Sequence, residues 1–180
     1  MPLPTLRTER LVLRPFSPAD APTVQRLAGD REVASTTLTI PHPYEDGMAE
    51  AWIEGRAIDW AEKKALTLAV TTEADGLVGA IGLHLKLEHL RAELGYWIGV
   101  PFWNRGYATE AAEAVIKFGF DELGLNRIEA HHFSRNPASG RVMEKLGMTL
   151  EGVRREHVLK DDELEDLALY AVLSSDRHRG

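Results

Sequence analysis

Between Arg91 and Ser134 the sequence runs from strand-like alternation into a long helical stripe and back to alternation. Strand, helix and strand in that order require a crossover, so two strands here pair in parallel or across a neighbour. The flanking segments read as hairpins. Leu66, Leu68 and Val70 alternate with Thr67, Ala69 and Thr71; the turn Glu73-Ala74-Asp75-Gly76 follows; Leu77, Gly79, Ile81, Leu83 and Leu85 then resume the phase. Two further strands, about Met148 to Leu159 and Leu164 to Leu173, surround the acidic turn Lys160-Asp161-Asp162-Glu163. Hairpins around one crossover predict a mixed, mostly antiparallel, twisted sheet flanked by helices, an α/β (α+β) fold.

The rest of the chain fills in that frame. Arg10 to Phe16 alternates as a first strand. Ser17-Pro18 opens a helix whose apolar side is Val24, Leu27 and Ala28. Residues 31–45 read as irregular, with Pro41-His42-Pro43-Tyr44 forbidding helix. A second helix, about Asp46 to Lys64, is expected to bury Met48, Ala51, Trp52 and Ile58, with Trp60 also in the core. The long helix spans about Asn104 to Leu123, carries Ala111, Val115 and Phe118, and ends at Gly124. Asn126 to Ser134 is a strand and Asn136 to Leu146 a short helix ended by Gly147. The order is β-α-α-β-β-β-α-β-α-β-β. Short turns and the absence of repeats or long linkers predict a single domain over 1–180.

Composition narrows the function. The chain has no cysteine, which excludes disulfides, thiolate metal sites and a cysteine nucleophile. With 28 acidic residues against 21 Lys plus Arg the net charge is −7, the wrong sign for a general nucleic-acid binder. No stretch approaches the ~20 apolar residues of a membrane span. The first ten residues lack an apolar signal core, so the expected location is cytoplasmic, with no membrane partner. His131 and His132 are adjacent on a strand, point to opposite faces and cannot share a metal, and no metal is expected. Asp161, Asp162, Glu163, Glu165 and Asp166 read first as a solvated turn and second as an attraction for a basic amine.

The chemistry is concentrated in Arg91 to Glu113. One face of the strand is Ala92, Leu94, Tyr96, Ile98 and Val100; the other is Glu93, Gly95, Trp97 and Gly99. Two glycines and a carboxylate make a floor for a closely approaching ligand, or equally a solvent-facing side with a Trp packed on it. Trp103-Asn104-Arg105-Gly106-Tyr107-Ala108-Thr109 opens the long helix. Its first N–H groups lack internal partners and sit at the positive end of the dipole, a ready site for a pyrophosphate. Taken alone it is also an ordinary tight turn, with Glu110 stabilising the dipole. In the third segment, Asn136-Pro137 is a helix cap and Ser139 a first-turn serine.

Together these pieces resemble the GCN5-related N-acetyltransferase (GNAT) superfamily, in its ribosomal-protein (RimJ/RimL-like) branch. The resemblance runs through T-E-R-L-V-L-R-P-F-S-P-A-D-A at the start, P-H-P-Y at 41–44, A-E-L-G-Y-W-I-G at 92–99, W-N-R-G-Y-A-T-E-A at 103–111 and N-P-A-S-G-R-V-M-E-K-L-G-M at 136–148. It implies acetyl transfer from acetyl-CoA to an amine, a protein N-terminus or a small amine such as a polyamine, amino acid or amine antibiotic. A non-catalytic acetyl-CoA sensor is the reading from another class. By resemblance, Arg105, Gly106, Tyr107, Ala108 and Thr109 hold the pyrophosphate, Ile98, Gly99 and Val100 pair with pantetheine, Asn136 contacts pantetheine, Ser139 lies near the sulfur and Lys145 near the nucleotide phosphate. Trp103 replaces the Gln or Arg of the wider pattern and inherits no side-chain role. Glu93 is the candidate base, acting through a water; His42 and Tyr44 are candidate acceptor contacts. Relatives are often dimers, so a homodimer is among the expected assemblies.

Overall fold

The computed structural model describes residues 2–178. Its elements are β1 (Leu6–Arg7), β2 (Val12–Arg14), α1 (Ala21–Ala28), α2 (Arg31–Ser35), α3 (Met48–Ala61), β3 (Ala65–Thr72), β4 (Gly76–Lys86), β5 (Arg91–Ile98), α4 (Tyr107–Asp121), β6 (Arg127–Phe133), α5 (Pro137–Lys145), β7 (Thr149–Lys160) and β8 (Glu163–Leu173). The strands form one sheet in the order β1-β2-β3-β4-β5-β6-β8-β7. Among the described residues only β5 and β6 pair in parallel, as the crossover through α4 demands. This is the mixed, mostly antiparallel sheet expected from the sequence.

Helices cover both faces. On one, Ala111, Val115 and Ile116 of α4 and Met143 of α5 pack on Leu66, Leu68, Ile81, Leu83 and Leu94. On the other, Ala21, Val24 and Ala28 of α1 and Ala49 and Ile53 of α3 pack on Ala69 and Leu77, with Trp97 at the edge. Alternation sends neighbouring strand residues to opposite layers, which is why β3 is buried almost throughout.

Three expectations change. The first strand shortens to β2, which pairs with β3 and with the two-residue β1. The segment taken as irregular begins with α2, where the Asp30 carboxylate accepts the Glu32 N–H at 2.9 Å. The buried stripe of α3 is Ala49, Ile53 and Trp60, while Met48 is 37% and Ile58 58% exposed. Apolar residues occur on several sides of this helix, so periodicity alone does not select the side that meets the sheet. Trp52 is half-buried, its ring edge-on to Phe16 with centroids 4.9 Å apart.

The acidic group also divides. Asp161 and Asp162, at φ 50° and 65°, form the two-residue turn between β7 and β8. Glu165 is buried against Arg135, and Asp166 accepts the Glu156 N–H.

Candidate active site

The site begins where the sheet opens. Arg91, Ala92 and Glu93 pair with Arg127, Ile128 and Glu129, and there the β5–β6 ladder stops. The strands then part, leaving a cavity of about 410 Å³. Its walls include Ser139 and Met143 from one face of the sheet, and Tyr44, Trp52 and Arg56 from the other. The opening therefore joins the two faces. The outer wall, residues 36–41, is held in place from a distance. Arg135 donates to the Ser35 carbonyl at 2.7 Å, and Lys160 donates to the Ile40 carbonyl at 3.2 Å.

β5 supplies one backbone edge of this cleft. The Gly99 N–H donates to the Val78 carbonyl at 2.9 Å, continuing the ladder with β4. Antiparallel alternation then turns the backbone groups of Ile98, Tyr96 and Leu94 towards the side that β6 has left. Of Ile98 and Gly99, only Ile98 faces this edge. Its carbonyl accepts the Trp103 indole N–H at 2.6 Å, so Trp103, given no role on sequence grounds, ties the loop to the cleft. A side chain at Gly99 would collide with Leu27 of α1, 2.8 Å from the ideal Cβ.

On the α5 side, Tyr96 Oη and Ser139 Oγ are 2.8 Å apart. Burial pushes the Tyr96 hydroxyl above its ordinary pKa, outweighing the opposing bond from Ser139. The phenol thus stays protonated at neutral pH. Asn136 starts α5, but its side chain makes no capping bond. The cap expected from the sequence is absent, and the amide is left for another partner.

On the opposite side, Glu93 Oε1 lies 3.4 Å from His131 Nδ1. The nearby arginines, Arg91 and Arg127, both pair with Glu129 instead. Among the described residues, neither arginine pairs with Glu93. His131 and His132 do point to opposite faces: His132 is buried beside Tyr170, with ring centroids 5.7 Å apart.

Asn104 and Gly106 have φ of 61° and 80°, which fold the loop back before α4. The first intrahelical bond is Glu110 N–H to the Gly106 carbonyl, at 3.1 Å. The N–H groups of Tyr107, Ala108 and Thr109 precede that ladder and face outward at the helix start. Glu110 does more than complement the dipole: it accepts from the Thr8 hydroxyl at 2.6 Å and the Arg10 N–H at 2.8 Å. Burial pushes its pKa up, but these donors and the Arg10 guanidinium hold it below the usual carboxylate range. Arg105 is exposed, its guanidinium 5.4 Å from the Phe102 ring centre, and Lys145 borders a groove with Gly106 and Thr109. Replacing Gly106 by alanine forces a side chain into the left-handed region at about 1–2 kcal/mol. We expect the loop to relax and acetyl-CoA affinity to fall about tenfold by calorimetry. Unchanged affinity would remove this loop from the site.

Tyr44 lines the cavity, and burial raises its pKa. His42 is not in the lining; its ring nitrogen Nδ1 is 3.1 Å from the Gly29 carbonyl. Sequence reasoning missed His131, Arg56 and the hydroxyl of Tyr96, because none has a local signal. Each matters only through a partner far along the chain.

Solved structures that share this fold include acetyltransferases. One from Bacillus anthracis superposes with a TM-score of 0.85 at 29% identity, over 96% of this chain and 99% of that one. RimL, the ribosomal L7/L12 alpha-N-protein acetyltransferase solved with coenzyme A, superposes at 0.87 with 16% identity, over 94% and 98%; this likeness is one of fold. The family model described as the acetyltransferase (GNAT) domain matches residues 10–149, and this chain belongs to that family. It is 32% identical over 172 residues to the N-acetyltransferase YoaA of Bacillus subtilis, itself uncharacterized, covering 94% of this chain and 97% of that protein. The protein is an N-acetyltransferase of GNAT type.

Proposed function

We propose that the enzyme moves the acetyl group of acetyl-CoA to the α-amino group of a protein N-terminus. The observation carrying this reading is the charge of the cavity: among the described residues, Glu93 is the one carboxylate in its lining. A polyamine brings several ammonium groups, and each needs a partner when it leaves water. An α-amino group brings one charge, and its pKa of about 7.7–8.0 makes it easier to deprotonate than a lysine.

In this reading the N–H groups of Tyr107 to Thr109 receive the pyrophosphate, with Arg105 adding charge and Lys145 near the nucleotide phosphate. The Ile98 edge, with Gly99 and Val100 beyond it, accommodates pantetheine beside Asn136. Tyr44 and the His42 segment border the acceptor. The amine attacks the thioester carbon from the Glu93 side, and Ser139 donates to the departing thiolate. Much of the acceleration comes from holding two reactants together. Arg56 in the same lining favours a second reading, a small amine that also carries a carboxylate.

Thiol release from acetyl-CoA with two acceptor panels separates these readings. Release with short peptides, lost when their N-termini are blocked, supports the protein acceptor. Release only with free amino acids supports the second reading. Release only with polyamines would overturn both.

A further inference from the structure

Three titratable side chains stand in a row on the acceptor face of the sheet, one on each of three adjacent strands. His84 of β4 is opposite Glu93 of β5 in the antiparallel register. Glu129 of β6 is the parallel partner of Glu93, and His131, two residues on, shares its face. All of His84, Glu93 and His131 line the cavity, at the point where β5 and β6 part.

We propose that His131 is the general base that takes the proton from the acceptor ammonium, with Glu93 as its positioning partner. A base works best when its pKa is near the working pH, and an ordinary imidazole lies at about 6.5 against about 4.3 for a glutamate. The Glu93 side chain is 42% exposed and that of His131 30%, so an entering amine can reach both. The carboxylate faces Nδ1, which favours the tautomer with its proton there and leaves the lone pair on Nε2. A separation of 3.4 Å suits a pair that tightens when substrate arrives. The other charged groups around the pair are largely committed. Glu129 is held by Arg91 and Arg127, and Arg56, reaching the cavity from α3, is 3.2 Å from Asp59. His84 remains as the second imidazole beside Glu93, on the exposed side.

The step balances as follows. His131 Nε2 takes one proton from the ammonium; the freed pair attacks the thioester carbon; the C–N bond forms and the C–S bond breaks. The first proton leaves from His131 to water. The second nitrogen proton matches the one that ends on the thiol, delivered to the thiolate through Ser139. The proposal rests on the acceptor being an amine.

The test is the pH profile of amine-dependent thiol release in the wild type, His131→Asn and Glu93→Gln. It is paired with an NMR titration of the His131 imidazole in the wild type and Glu93→Gln. The wild type should show an acid limb at the NMR midpoint of His131. His131→Asn should lose that limb and about 10²-fold in kcat, with the KM for acetyl-CoA unchanged. Glu93→Gln should keep the limb and lower kcat, because the imidazole is no longer held in one orientation and tautomer. A His131→Asn enzyme with full kcat and an intact limb overturns the proposal, as does a Glu93→Gln enzyme that loses the limb altogether. A neutral imidazole whose tautomer, read from its nitrogen NMR shifts, is the same in Glu93→Gln breaks the pairing without reference to turnover. A wild type that releases no thiol with any amine removes the amine acceptor and this proposal together, which differs from a variant indistinguishable from an active parent. A thermal shift with acetyl-CoA confirms that each variant is folded.

Discussion

Replacing Ser139 by alanine is expected to lower kcat by roughly 10²–10⁴-fold while acetyl-CoA still binds. The hydroxyl is half-buried at the cleft and paired with Tyr96 Oη at 2.8 Å. Either hydroxyl can donate in this pair; when Tyr96 donates, the serine proton is free for a departing thiolate. Tyr96→Phe removes only the back-up donor and should cost less, about tenfold. The two groups act as one relay, so the double variant should be no slower than Ser139→Ala alone. Steady-state thiol release at saturating acetyl-CoA measures all three. A Ser139→Ala enzyme with unchanged kcat would mean that the thiolate leaves without help from this side chain.

The largest expected loss of stability lies at the start of α1. Asp20 is 7% exposed and takes two bonds from Arg14, each 2.8 Å, and the Ser17 N–H at 2.8 Å. Asp20→Asn leaves a guanidinium without its charge partner. Breaking a fully buried ion pair costs 3–5 kcal/mol; Arg14 keeps about a third of its side chain in water, so we expect about 3 kcal/mol. That corresponds to a fall in Tm of roughly 6–12 °C for a chain of this size. Burial pushes the Asp20 pKa up, but the Arg14 and Ser17 donors more than reverse it, so the folded value is depressed. Its contribution is therefore present above the unfolded pKa of about 3.9 and lost as pH falls through the folded value. The gap between wild type and Asp20→Asn should narrow only in that acid range. Chemical denaturation at neutral and at acid pH checks both parts. The effect reaches the site, because α1 rests through Leu27 on Gly99, just before the helix-entry loop.

Local pattern carried most of the fold. The alternation of 66–85 became β3 and β4, and the stripe at Ala111 and Val115 became the buried face of α4. Gly106, read from the sequence as part of a loop opening the long helix, adopts the left-handed conformation there. Local pattern misled where two answers satisfied the same period. The α3 stripe is rotated from the expected one, and Asn136 begins its helix without capping it. Glu93 was legible as a carboxylate on a Gly-bearing face, but its partner was not: His131 was set aside as one of two adjacent strand histidines.

What the amino-acid sequence determined by itself is the order of the longer elements and the one crossover, while the short β1 and α2 carried too little pattern to be read. Periods of 2 and 3.6 residues, turn residues and helix-start signals all act within a few positions. What only the tertiary structure decided is where β6 leaves β5 and which side chains meet there. Tyr96 and Ser139 are 43 residues apart in sequence, and Arg135 and Ser35 are 100 apart. Such pairs depend on how far one strand follows another before packing on α5 and the 36–41 segment draws them apart, a balance struck across the whole sheet that no single stretch of sequence encodes.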